Sequence, residues 1–118
     1  MSTAANIVVA LVALIHVYIL VLEMFLWDKP AGLRAFGQSL QAASASKVLA
    51  ANQGLYNGFL AAGLVWGLTL GTAGNGVKIF FLACVLVAGL YGAATASRKI
   101  LYVQALPAAI GLGLLLLA

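Results

Sequence analysis

Few side chains in this sequence can do chemistry, and those few stand at helical spacing inside long apolar runs. His16 and Glu23 are seven residues apart. At 100° per residue they lie within about 20° of one face, two turns apart, in a stripe shared with Leu20 and Trp27. Gln53 and Asn57 are four apart and share a face, as do Tyr91 and Thr95, and Gln104 stands early in the last apolar run. An imidazole and a desolvated carboxyl can take up and return a proton. Amides and hydroxyls beside them can hold a ligand. Ionisable groups within a membrane span are costly, so each requires a partner or a task.

Other chemistries are poorly served. One histidine and one nearby carboxylate are too few for a closed metal site. No serine or cysteine stands near His16 in a hydrolytic arrangement. The single cysteine, Cys84, excludes a disulfide within the chain and reads as a small buried hydrophobe. No catalytic residue is assigned, His16 and Glu23 remaining the candidates, and neither a metal nor a cofactor is expected.

The elements that carry these residues follow from composition. The chain has 118 residues, 65% of them hydrophobic and 7% charged, where soluble domains carry about a quarter charged. So few charges cannot clothe a globule in water, and lipid is the expected solvent. The net charge of +4 invites a nucleic-acid reading. That reading fails, because Lys29, Arg34, Lys47, Lys78, Arg98 and Lys99 are scattered between or beside apolar runs instead of clustered.

Four segments are long and apolar enough as helices to cross a hydrocarbon core of about 30 Å: 4–27, 48–71, 77–97 and 100–118. The expected fold is a single all-α domain over 1–118, a bundle of four transmembrane helices. The first segment lacks the basic start and small-residue cleavage site of a signal peptide and reads as a retained span. Asp28 to Gly32 breaks it with a proline and a glycine. The run from Gly71 to Gly76 makes a short turn, and Arg98-Lys99 a tight one. Pro107 is expected to kink the fourth span and free a carbonyl about one turn earlier. Between Asp28 and Lys47, Leu33, Phe36 and Leu40 alternate with Arg34, Gln38 and Gln41. That pattern fits either a short amphipathic helix in the interface or an ordered loop.

Orientation follows from the basic residues. Lys29, Arg34, Lys47, Arg98 and Lys99 fall on one side and Lys78 on the other. The first and third connections are thus expected in the cytoplasm and both termini outside. On that orientation the polar residues of all four helices gather toward the cytoplasmic half, His16 lying deepest. Rows of small residues mark where helices can approach: Gly54, Gly58 and Ala62; Gly63, Gly67 and Gly71; Ala88, Gly92 and Ala96; Ala105, Ala109 and Gly113. They serve packing within the chain or, on a second reading, a homo-oligomer.

The run His16 to Trp27, the run Lys47 to Gly63 with its Asn52-Gln53-Gly54-Leu55-Tyr56-Asn57-Gly58 core, and Phe36-Gly37 together resemble the DUF1304 family of small bacterial membrane proteins. The resemblance covers nearly the whole chain. It implies a compact four-helix fold in the bacterial inner membrane and brings no activity with it. Three functions therefore stand open. The protein binds or moves a small ligand, lipid, ion or proton in a cytoplasm-facing pocket of His16, Glu23, Gln53, Asn57, Tyr91, Thr95 and Gln104. It is a membrane-embedded enzyme using His16 or Glu23 as base on a lipophilic substrate. Or it is a structural subunit that offers its glycine rows to another membrane protein. The first is preferred, and an enzyme is the less favoured reading.

Overall fold

A computed structural model describes residues 2–117. Met1 and Ala118, the two ends of the expected domain and the latter the end of its fourth span, lie outside the described residues. The fold is all-helical, with no strand among the described residues. Helix α1 spans Ser2–Met24, α2 Pro30–Phe36, α3 Leu40–Ala45 and α4 Lys47–Thr69. A 3₁₀ turn at Gly71–Gly74 leads to α5, Asn75–Thr95, and a π-helical turn at Leu101–Ala105 leads to α6, Leu106–Leu117.

The breaks have local causes. α1 ends at Met24 and the chain then turns, so Trp27 lies beyond the helix and not on its stripe. Pro30 opens α2, where its missing N–H costs nothing. Gly37 closes α2 at φ +61°, in the left-handed region that glycine enters without strain. Ser39 caps α3, its Oγ accepting the Ala42 N–H at 3.1 Å. The connection between the first two long helices is therefore two short helices, each with its own start and stop signals. Near Pro107 the Leu106 N–H donates to the Leu101 carbonyl, five residues back. The helix widens into a π turn just ahead of the proline.

Among the described residues, two helical segments are long and apolar enough to cross a membrane, Thr3–Met24 and Gly71–Thr95. Leu101–Leu117 is apolar but shorter. α4 has 23 residues, but Asn52, Gln53 and Asn57 dilute its first half.

Contacts divide the chain into two compact units, one of Met1–Ile15 with Leu60–Ala118 and the other of His16–Phe59. The first unit has an apolar core. Ala5, Val9, Val12 and Ala13 recur at one-face spacing on α1 and meet Leu64, Leu82, Val85, Ala108 and Leu115. Backbones approach closely at Gly89, where an added Cβ would stand 2.9 Å from the Ala105 nitrogen and 3.0 Å from its Cα. Gln104 Nε2 donates to the Val85 carbonyl at 3.2 Å across the same contact.

The second unit is pinned by polar contacts near the end of α1. Trp27 Nε1 donates to Ser46 Oγ at 3.1 Å, and the Trp27 ring packs on Phe36 with centroids 4.8 Å apart. Lys47 Nζ stands 3.0 Å from Asp28 Oδ2. The Lys47 ammonium holds the Asp28 carboxyl below the usual carboxylate range, against a smaller opposing effect of burial.

Two outcomes are expected. Gly89→Ala drives a Cβ into backbone that cannot move aside and costs about 1–3 kcal/mol in a denaturing-detergent titration. Gly113→Ala, with nothing within 4 Å of the new Cβ, is neutral or stabilising by up to about 1 kcal/mol. The Asp28 carboxyl is depressed in the folded state, so its link to Lys47 contributes fully above the unfolded value of about 3.9. That contribution fades as pH falls through the folded value. Asp28→Asn removes this part of the acid-side slope when the unfolding midpoint is followed from neutral pH downward.

Candidate functional site

The second unit brings α1 and α4 together through glycine. A Cβ on Gly54 would meet Met24 Cγ at 2.5 Å, Glu23 Cβ at 3.1 Å and the Leu20 carbonyl oxygen at 3.3 Å. One turn later a Cβ on Gly58 would stand 2.7 Å from Leu20 Cδ1. Only hydrogen at these two positions lets the helices approach so closely. Glu23 and Asn57 face each other across that contact.

Glu23 is 6% exposed, and Asn57 Nδ2 donates to its Oε1 at 2.6 Å. The same amide nitrogen also donates to the Gln53 carbonyl at 3.1 Å, which fixes its direction. Lys29 and Arg34 follow close in the sequence, within reach of an outward-turned Glu23. Instead the carboxyl is turned inward onto a neutral amide, and among the described residues it makes no ion pair. His16, two turns earlier on α1, is wholly buried. Gln53 contributes its backbone carbonyl to Asn57, while its side chain stands on an exposed residue.

The other expected site residues belong to the first unit. Tyr91 is 72% exposed and lines an apolar hollow on α5 with Phe80, Ala83, Cys84, Val87 and Ala88. Thr95 Oγ1 donates back to the Tyr91 carbonyl at 2.7 Å, within its own helix. Gln104 is engaged with the Val85 carbonyl. Among the described residues no group of three His, Cys, Asp or Glu side chains could hold a metal.

One polar residue behaves unlike its sequence reading. Lys78, expected as the lone basic flank on the outer side, is 1% exposed. Its ammonium donates to Asn6 Oδ1, the Gly71 carbonyl and Asn75 Oδ1. The available signal was Asn75 one turn earlier, a polar neighbour on the same helix face.

The Glu23–Asn57 pair can hold and exchange a proton, or accept a hydrogen-bond donor from a small ligand. Asn57→Ala removes the one side-chain donor to a buried carboxyl and is expected to cost about 1–3 kcal/mol. Gly54→Leu, which forces the helices apart, is expected to destabilise by at least as much. Both are read from unfolding titrations of the purified protein. Asn57→Ala leaving stability unchanged would show that the pair carries no weight.

Comparison with known proteins places the chain. It is 32% identical over 96 residues to the uncharacterised protein YpaA of Lactococcus lactis, across 80% of this chain and 81% of that protein. No solved structure matches it. The model of the DUF1304 family, described as a protein of unknown function, matches residues 10–116. That span takes in the α1–α4 contact, the short helices of the connection and the buried lysine, and the chain belongs to the DUF1304 family.

Proposed function

We propose that this chain is a multi-pass protein of the bacterial cytoplasmic membrane whose Glu23 carboxyl, with Asn57 and His16, binds a proton or a small hydrogen-bonding ligand from the cytoplasmic side. Four helical segments cross the bilayer in this reading. The connection 28–47 and the turn at Arg98-Lys99 face the cytoplasm, and both termini lie outside.

The membrane reading is supported by the protein's exterior. Large apolar side chains stand exposed on every long helix: Leu14 on α1, Phe59 and Trp66 on α4, Phe80 and Val87 on α5, Ile110 and Leu116 on α6. Soluble monomers do not present apolar surface on this scale. α4, the least apolar of the long helices, is included because its polar residue Asn57 is turned onto Glu23 while its exposed positions include Leu55, Phe59 and Val65. The five-to-one division of basic residues supports the orientation, and Lys78 is spent internally.

The site reading rests on one observation: a buried carboxyl held by a neutral amide at 2.6 Å, with no ion pair to it among the described residues. An ionisable group inside a membrane span is costly and calls for a partner or a task. A carboxyl whose single side-chain partner is an amide keeps access to both protonation states. Such groups line proton and ion paths in membrane proteins.

Glu23→Gln tests this. Glutamine keeps the shape and offers Asn57 the same carbonyl acceptor, but it cannot ionise. Wild type and variant are reconstituted into liposomes, proton entry is followed with an enclosed pH dye, and co-purified small molecules are identified by mass spectrometry. The expected result is a flux or a bound species that is lost in Glu23→Gln while thermal stability is kept. A variant that matches wild type in both readouts, or that loses stability alone, assigns the pair to helix packing and ends the proposal.

A further inference from the structure

Lys78 poses a separate physical problem, independent of Glu23. An ammonium removed from water is expensive unless it is paired and hydrogen-bonded. Lys78 is 1% exposed, and no carboxylate pairs with it among the described residues. It stands at the fourth position of α5, where the helix dipole disfavours a cation. What it has is oxygen. Asn6 Oδ1 on α1 lies 3.0 Å from Nζ, the Gly71 carbonyl 3.2 Å and Asn75 Oδ1 3.3 Å. Lysine has three N–H donors and no acceptor, and here every donor has its own oxygen.

The three oxygens come from the first turns of α1, the turn after α4 and the start of α5, all within the first unit. Gly71 sits at φ +62°, the left-handed conformation open to glycine at no cost. Gly67 makes room for the lysine stem, since a Cβ there would stand 2.7 Å from Lys78 Cγ. The distances suit N–H···O bonds and are longer than the oxygen distances of calcium, about 2.3–2.6 Å, or magnesium, about 2.0–2.1 Å.

We propose that Asn6 Oδ1, the Gly71 carbonyl and Asn75 Oδ1 form a binding site for an ammonium-type cation, that Lys78 fills it from within the chain, and that the filled site fastens α1 to the α4–α5 turn. Neutral oxygens that each need a donor have one supplied by a cation that cannot diffuse away. A free primary ammonium is the ligand class the empty site takes. Arginine does not substitute, because its planar fork presents its donors in a different geometry.

The test uses the full chain in detergent, with thermal unfolding followed by circular dichroism. Lys78→Ala is expected to lower Tm by several degrees and to regain part of the loss in methylammonium chloride. Tetramethylammonium chloride at equal concentration, which has charge but no N–H, is expected to restore nothing. Lys78→Met keeps an apolar stem of similar length, fills the space, and is expected to stay destabilised in both salts. A Met variant as stable as wild type, or equal effects of the two salts, overturns the proposal. Should the Ala variant fail to fold, reductive methylation of the wild type decides. Lys29 and Lys47 are expected to react while Lys78 does not until the protein unfolds. Lys78 reacting at their rate overturns the site.

Discussion

Helices that share an apolar solvent gain little by hiding leucine from it, so what joins them is the closeness of their backbones. In the proposed membrane setting this constraint governs both units of the protein. In the second unit Gly54 and Gly58 admit Leu20, Glu23 and Met24 to the surface of α4. In the first, Gly63 receives the Phe81 ring, Gly67 the Lys78 stem, and Gly89 the backbone of the π turn. At each of these positions a methyl group would collide. The hydrogen of glycine permits dispersion contacts at distances no other residue allows. Gly113 has open space around it and is used for no such contact.

Close approach decides which polar groups meet. Asn57 reaches Glu23 because the helices on either side are held by Gly54 and Gly58, one turn apart. Lys78 reaches Asn6 and the Gly71 carbonyl because Gly67 and Gly74 let the chain reverse tightly; a Cβ on Gly74 would overlap the Gly67 carbonyl. The two sites solve the same difficulty in the same way. An ionisable group inside each unit is satisfied by amide and carbonyl groups, without an opposite charge. Neutral partners cost less to bury than charged ones, and they leave the local charge to the ionisable group alone. The ion pair between Asp28 and Lys47 lies instead in the connection, with the lysine side chain exposed.

The connection shows how local signals combine. Pro30 starts α2, Gly37 ends it and Ser39 starts α3, each acting on its neighbours alone. Trp27 then fixes the result by touching Phe36 and Ser46, residues far along the chain. The sixth helix works similarly. Pro107 removes a backbone donor, the preceding turn widens, and the Leu106 N–H finds the Leu101 carbonyl. The widened turn is the segment that meets Gly89.

The sequence by itself determined the all-helical character, the family, the breaks at 28–32 and 71–76, and the close-contact glycines Gly54, Gly58, Gly63 and Gly67 of α4, but neither the left-handed stop at Gly37 nor the close contact at Gly89. These depend on composition, short-range sterics and 3.6-residue spacing, all of which act within a few residues. It also singled out Glu23 and Asn57, since polar groups in apolar runs are few. It could not tell whether Glu23 pointed to Lys29 and Arg34 or to Asn57, because a long side chain reaches either way from one backbone position. Nor could it tell that Lys78, placed as the one basic residue on the outer side, is buried among oxygens. Only the tertiary structure decided these two cases. A side chain's partner depends on which distant backbone comes within about 3 Å, and that distance is set by packing across helices, not by any run of neighbouring residues.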